Sequence, residues 1–418
     1  MQTKKTHWLS ISILIVLGVG AAFTLLITLA LGINSIIILF SKKGDAAGQM
    51  ISAVAFGFEA VILLACSWFV LQKTLGHEQA EIPFKFPFAN WLVFPVLGMV
   101  VASVAIGGMV AYSEIKWLAW IILPILTVLV IVPPIWLLFG LGTNGIELGP
   151  RWRIFGVLGL GMTIGPLIMI VLEMVLLLGI IIVGMIIIAV QNPVLFHEIL
   201  NVARILKQEP NEDVTLKLLA PYITNPLVIA TVIGYISLIV PMIEELFKPL
   251  AVWIFARKLE SSAQGFAMGL LSGAAFALLE SLNASSDGSM SWPALVSVRA
   301  ATSLLHITAS GLVGWGIASA FREKRIMRFF GAYFTAGAIH GIWNACAVGA
   351  GLSTVGEFIG KPEWFFNIIP AVVGGMSVLA VGMLVVLVAS NRKLRSLPSS
   401  PTLPPEGEGS SPLPLGEG

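Results

Sequence analysis

The chain has 418 residues, 57% of them hydrophobic and only 11% charged, with a formal net charge of +2. Soluble chains carry about 25% charged residues, so this composition is that of an integral membrane protein in a lipid bilayer, and the near-neutral balance argues against a nucleic-acid partner. Two cysteines, Cys66 and Cys346, both inside apolar stretches, leave no disulfide framework and no thiolate metal centre to build.

Apolar stretches near 20 residues predict an all-α fold, a polytopic transmembrane helix bundle of about ten spans. They lie at 8–39, 51–71, 91–112, 117–140, 154–190, 226–255, 263–282, 294–321, 329–351 and 364–389. The first is too long for a signal-peptide core and reads as an uncleaved span. The first, fifth and sixth exceed what a bilayer needs, which predicts tilt or a break, and 154–190 has room for one span or two.

Residues 191–225 form the sizeable insert. Leu195, Ile199, Val202, Ile205 and Leu206 recur there at helical spacing, as in an amphipathic helix lying on the membrane or a connector packed on the bundle. From Ser396 the tail is rich in proline, glycine and serine and cannot bury a core. The chain thus divides into N-terminal spans of unassigned role (1–190), the insert, four polar-bearing spans (226–351), a last span within 352–395, and a disordered tail (396–418).

Lysine and arginine bias sets the orientation. Arg257-Lys258, Arg322 to Arg328, and Arg392 to Arg395 are basic, whereas 283–293 and 352–363 hold a single lysine. The last spans therefore alternate with the C-terminus in the cytoplasm. Arg151, Arg153, Lys4 and Lys5 fall on that side too, placing both termini there, while Lys42-Lys43 is the exception, outside by span count.

Within 226–351 stand Glu244, Glu245, Lys248, Glu280, His306, His340 and Asn344. An ionisable residue at membrane depth costs at least ~2.5–3.5 kcal/mol, so function is the default reading of each. Glu244 and Lys248 are four apart and can pair, which leaves Glu245, about 100° round the helix, free to face a cavity as a general base. A buried salt bridge fixing helix register accounts for Glu244 and Lys248 but not for Glu245.

Gly265, Gly269 and Gly273 form a small-residue stripe that admits a neighbouring helix, and Glu280 continues that face. His306 shares a polar face with Thr302, Ser303 and Ser310, and His340 with Asn344. Helix rise puts His340 and Glu245 each about 18 Å from a basic cytoplasmic edge, and His306 about 18 Å from the outer end of its span. The four spans therefore converge on one site between the midplane and the outer leaflet. Glu59 and Glu173 lack this company, and Arg299, near an outer end, reads as a snorkelling residue.

Glu-Glu-x-x-Lys at Glu244–Lys248, Phe-x-x-x-Glu at Phe276–Glu280, and membrane histidines at His306 and His340 resemble, in that order, the motifs of the PrsW family of bacterial intramembrane proteases. The family lies within the broader group of CAAX prenyl endopeptidases, whose third motif resembles His340-x-x-x-Asn344. The resemblance covers about 226–351 and implies hydrolysis of a membrane-anchored protein substrate, anti-sigma-factor-like, in a bacterial cell membrane.

Two mechanisms fit. In one, Glu245 or Glu244 activates water, His340 and Asn344 stabilise the oxyanion, and His306 assists proton transfer. In the other, Glu280, His306 and His340 hold zinc, with Glu245 as base. Outside the peptidases, a non-catalytic scaffold of the same superfamily and a proton-coupled transporter are the alternatives, although the chain lacks the inverted repeat a transporter favours.

Overall fold

A computed structural model describes residues 7–77, 84–208, 212–358 and 367–396, which are helical apart from short connections, with no strand among the described residues. Lys4, Lys5 and the tail beyond Ser396 lie outside them. In chain order the helices are α1 (Trp8–Ser41), α2 (Ala46–Thr74), α3 (Val93–Tyr112), α4 (Lys116–Thr143), α5 (Arg151–Met162), α6 (Ile164–Gln191), α7 (Pro193–Gln208) and α8 (Glu212–Ile223). Then come α9 (Pro226–Gly234), α10 (Val240–Phe247), α11 (Leu250–Phe255), α12 (Ser262–Asn283), α13 (Trp292–Arg322), α14 (Ile326–Phe358) and α15 (Ile369–Arg395).

Nine stretches among the described residues are long and apolar enough to cross a membrane. Helix α14 covers the remaining expected position at 329–351. The bundle is all-α, as composition requires. Two long stretches are broken rather than tilted. Thr163, at φ −122° and ψ −85°, separates α5 from α6. Helix α5 has 12 residues, about 18 Å of rise, and is too short to cross alone. The sixth stretch runs through one turn of π-helix at Tyr235–Ile239, then α10, and stops at Pro249, which has no N–H to offer the carbonyl of Glu245.

Helices α12 and α13 form the centre, with 89% and 78% of their most apolar windows buried. Their contact is made by the glycine stripe. A Cβ on Gly265, Gly269 or Gly273 would run into the α13 backbone at Gly314, Ser310 and His306 respectively. Around this pair the core is continuous: Leu17, Cys66, Ile131, Val157, Leu270, Ile307 and Leu387 are buried in one cluster, so the N-terminal helices share it. Helix α6 instead shows apolar residues outward along its length, and α7 buries none of its residues.

The connections sort onto two faces. Arg153 reaches Lys258 O and Gln264, and Asn391 donates to Gly142 O and Asn144 O, which gathers the basic ends on one side. On the other, Asp45 accepts from Gly288 N at 2.8 Å and Ser52 donates to Ser286. Lys42-Lys43 therefore shares a face with the weakly charged 283–293 connection, where span counting puts it.

Candidate active site

The polar residues of four successive stretches meet at one point. Pro249 ends α10 immediately after Lys248, whose side chain turns into the bundle and is fully buried. Its ammonium lies 2.7 Å from Glu244 Oε2 and 2.8 Å from Glu245 Oε1. It also lies 2.9 Å from His306 Nδ1, 3.4 Å from His340 Nδ1 and 4.6 Å from the centre of the Phe276 ring. This one cation touches both adjacent carboxylates and both histidines.

Hydrogen bonding assigns the imidazole protons. An ammonium can only donate, so His306 Nδ1 accepts and Nε2 carries the proton. Nε2 then donates to Glu280 Oε2 at 2.5 Å, while Glu280 Oε1 accepts from Arg299 at 3.1 Å. His340 Nδ1 donates to Glu245 Oε1 at 2.9 Å, the shorter of its two contacts, which leaves the Nε2 lone pair facing Glu244 Oε2 at 3.7 Å. That separation is too long for a direct bond, and Glu244 Oε2, ion-paired with Lys248, is buried without a hydrogen-bond partner among the described residues.

A cavity of about 350 Å³ opens onto these groups. Glu244, Glu280, His306, His340 and Asn344 line it, together with Arg299, Thr302 and the apolar Ile236, Val240 and Trp343. Glu245 and Lys248 are not among its lining residues; both have wholly buried side chains, whereas that of Glu244 is 12% exposed. Of the adjacent carboxylates, the one that faces the cavity is Glu244.

The π-turn shapes the cavity's other wall. Asn344 Nδ2 donates to Ile236 O at 3.0 Å, and a Cβ on Gly341 would collide with Ser237 O, so α14 rides directly on this turn. Gly341 is therefore the residue that lets His340 and Asn344 approach the carboxylates.

The metal set differs from the one expected. Among the described residues Glu244, His306 and His340 form the group whose donor atoms lie within 4.8 Å of one another. Glu280 bridges His306 and Arg299 near the C-terminal end of α12, so Glu244 supplies the carboxylate oxygen near both rings. One carboxylate and two imidazoles suit a zinc-like ion, and the buried, unpartnered Glu245 Oε2 is a further acceptor in the cage. By donor chemistry the residues fit a divalent ion.

Sequence reading passed over Arg299. It stands seven residues before His306, two helical turns along the same face, and that spacing was the available signal. Glu59 and Glu173 stay outside this constellation: Glu59 pairs with Asn283 and Glu173 accepts Tyr235 Oη on its backbone oxygen.

No curated protein and no solved structure matches the chain. Over residues 149–389, more than half its length, the sequence matches the family described as PrsW family intramembrane metalloprotease. The matched region runs from α5 through most of α15 and contains every residue of the site above. With its apolar helices, buried Glu/His cage and motif order, the chain belongs to the PrsW family of intramembrane metalloproteases, a peptidase family.

Proposed function

We propose that this protein is an intramembrane endopeptidase in which Glu244 is the general base, acting on a water held between its carboxylate and His340 Nε2. The observation that carries this reading is the 3.7 Å gap between Glu244 Oε2 and an imidazole lone pair, at the wall of a cavity. Glu244 takes a proton from the water as its oxygen attacks the peptide carbonyl, and that proton passes to the departing amine. Asn344 spends one amide hydrogen on Ile236 O and keeps the second for the developing oxyanion. Glu245 and Lys248 do not touch substrate; they fix His340 and His306. Glu244, His306 and His340 are also the residues that would hold a metal; a divalent ion bound there would take the place of the water between Glu244 and His340 and supply a Lewis acid toward the scissile carbonyl.

The substrate class follows from the cavity's place. Glu280 lies three residues from the end of α12, near the face carrying Gly288. With basic loops cytoplasmic and both termini inside, that face is extracytoplasmic, and the bond cut lies just outside the membrane midplane of a bacterial cell membrane. A single-span membrane-anchored protein, such as an anti-sigma factor, has a chain of that kind to offer.

The test is a single-span reporter carrying a randomised extracytoplasmic juxtamembrane segment, co-reconstituted with wild type or Glu244→Gln. Wild type is expected to release a fragment that the variant does not. Identical fragments from both proteins would remove Glu244 from the chemistry, and no fragment from wild type would remove the peptidase reading.

A further inference from the structure

The cage that fits a divalent ion already contains a cation. Lys248 Nζ stands within 2.9 Å of Glu244 Oε2 and His306 Nδ1, which belong to two of the three residues able to hold the ion. A neutral imidazole has one lone pair. That of His306 accepts from Lys248, and its other nitrogen is committed as a donor to Glu280 at 2.5 Å. Turning the ring's chemistry round does not help, because an Nδ1–H would then point at an ammonium that can only donate. Zinc–nitrogen bonds run about 2.0–2.1 Å, so an ion on the Nδ1 lone pair would overlap the space of Nζ.

Charge points the same way. Glu244 and Glu245 sit side by side at this point, Glu245 wholly buried, and Lys248 is the cation between them. Taking away one partner of a buried charge cluster leaves the rest uncompensated, so the cage needs a positive charge of some kind at this spot.

We propose that Lys248 is the resident cation of this cage and that a divalent ion enters only by displacing its ammonium. The inference deepens the reading of the same site, yet its readouts do not depend on cleavage.

The experiment is a Co²⁺ titration of the full-length chain in detergent, followed by visible absorption, for wild type, Lys248→Met and the double variant Lys248→Met/His306→Ala. Methionine keeps much of the stem's bulk without the charge. Lys248→Met is expected to take up one equivalent with ligand-field bands, wild type to show none at the same concentration, and the double variant to lose them. Equal binding by wild type and Lys248→Met would overturn the proposal, as would a folded Lys248→Met that binds nothing.

A second measurement covers folding. Lys248→Met is expected to melt higher when prepared with Zn²⁺ than with chelator, a shift absent from wild type. A Lys248→Met chain that stays unfolded in both media would also overturn the proposal, since an ion could not then stand in for the ammonium. Loss of the peptidase reading would show in the reporter assay alone and leave these metal readouts untouched.

Discussion

Asn283 Nδ2 donates to Glu59 Oε1 at 2.7 Å, bonding α2 to the helix that carries Glu280. Glu59 has no exposed surface, and its second oxygen has no hydrogen-bond partner among the described residues. The bond ties a helix outside the family match to the end of α12, one turn from Glu280. Asn283→Ala should cost about 1–3 kcal/mol by stranding that carboxyl group. Thermal unfolding in detergent checks this; an unchanged melting temperature would mean that α2 is not fastened through Glu59.

Glu244 and Glu245 are adjacent, but only Glu244 lines the cavity, and on the proposed function their amide variants should separate. Glu244→Gln gives up one of the two carboxylates on Lys248 but leaves the wholly buried Glu245 to hold the ammonium, so it should lower reporter cleavage about 10²–10⁴-fold with a smaller fall in melting temperature than Glu245→Gln. Glu245→Gln weakens the ion pair with Lys248 and alters the partner of His340, so it should lower stability and cleavage together. Measuring both quantities for both variants decides which carboxylate is the base. A stable, inactive Glu245→Gln beside an active Glu244→Gln would reverse the assignment.

Arg299 holds Glu280, and Glu280 holds His306. Glu280 is one step from His306, where a partner is typically worth about 10–100-fold, and Arg299 is two, so Arg299→Ala should reduce kcat by about 10-fold or less. Arg299→Lys should recover part of the loss, because the charge remains while the guanidinium's planar fork is gone. If Arg299 only snorkels, neither substitution moves kcat.

Gly273 faces the carbonyl of His306, whereas Gly179 has open space around it. Gly273→Ala should push α12 away from α13, costing about 1–3 kcal/mol and disturbing His306 with it. Gly179→Ala should be neutral or stabilising by up to about 1 kcal/mol, since a helical glycine gives way to a better helix former. Paired melting curves test the contrast.

What could be read from the sequence was what depends on periodicity and cost. The glycine stripe and Glu280 share a face by rotation alone, and the structure has that face against α13. The convergence of Glu244, Glu245, His306 and His340 followed from the expense of putting such groups in a bilayer. Which carboxylate faces the cavity did not follow. That choice depends on Pro249 stopping α10 and on Lys248 filling the interior beside Glu245, and both are tertiary facts. The place of Glu280 beside Arg299 was likewise hidden, because a lone arginine near a helix end has an ordinary explanation. The break at Thr163 does carry a mark, Gly165-Pro166, since Pro166 has no N–H for the carbonyl of Met162; 154–190 was read as room for one span or two without the break being placed there.

The contact between α12 and α13 leaves the site with one stiff wall and one compliant wall. Backbone lies on backbone at Gly269 and Gly273, and at Gly265 the neighbour is the Ala318 methyl beside Gly314 O, so the seam holds no long side chain to rotate or compress. His306 and Glu280 are mounted on the stiff side. Glu244 is mounted on α10, between a π-turn and a proline break, in a stretch that spends fewer regular helical hydrogen bonds to keep its shape. On the proposed function, a polypeptide admitted to the cavity works against unequal springs: Glu244 shifts with the guest, and His306 on the stiff side stays as the fixed reference against which it is aligned.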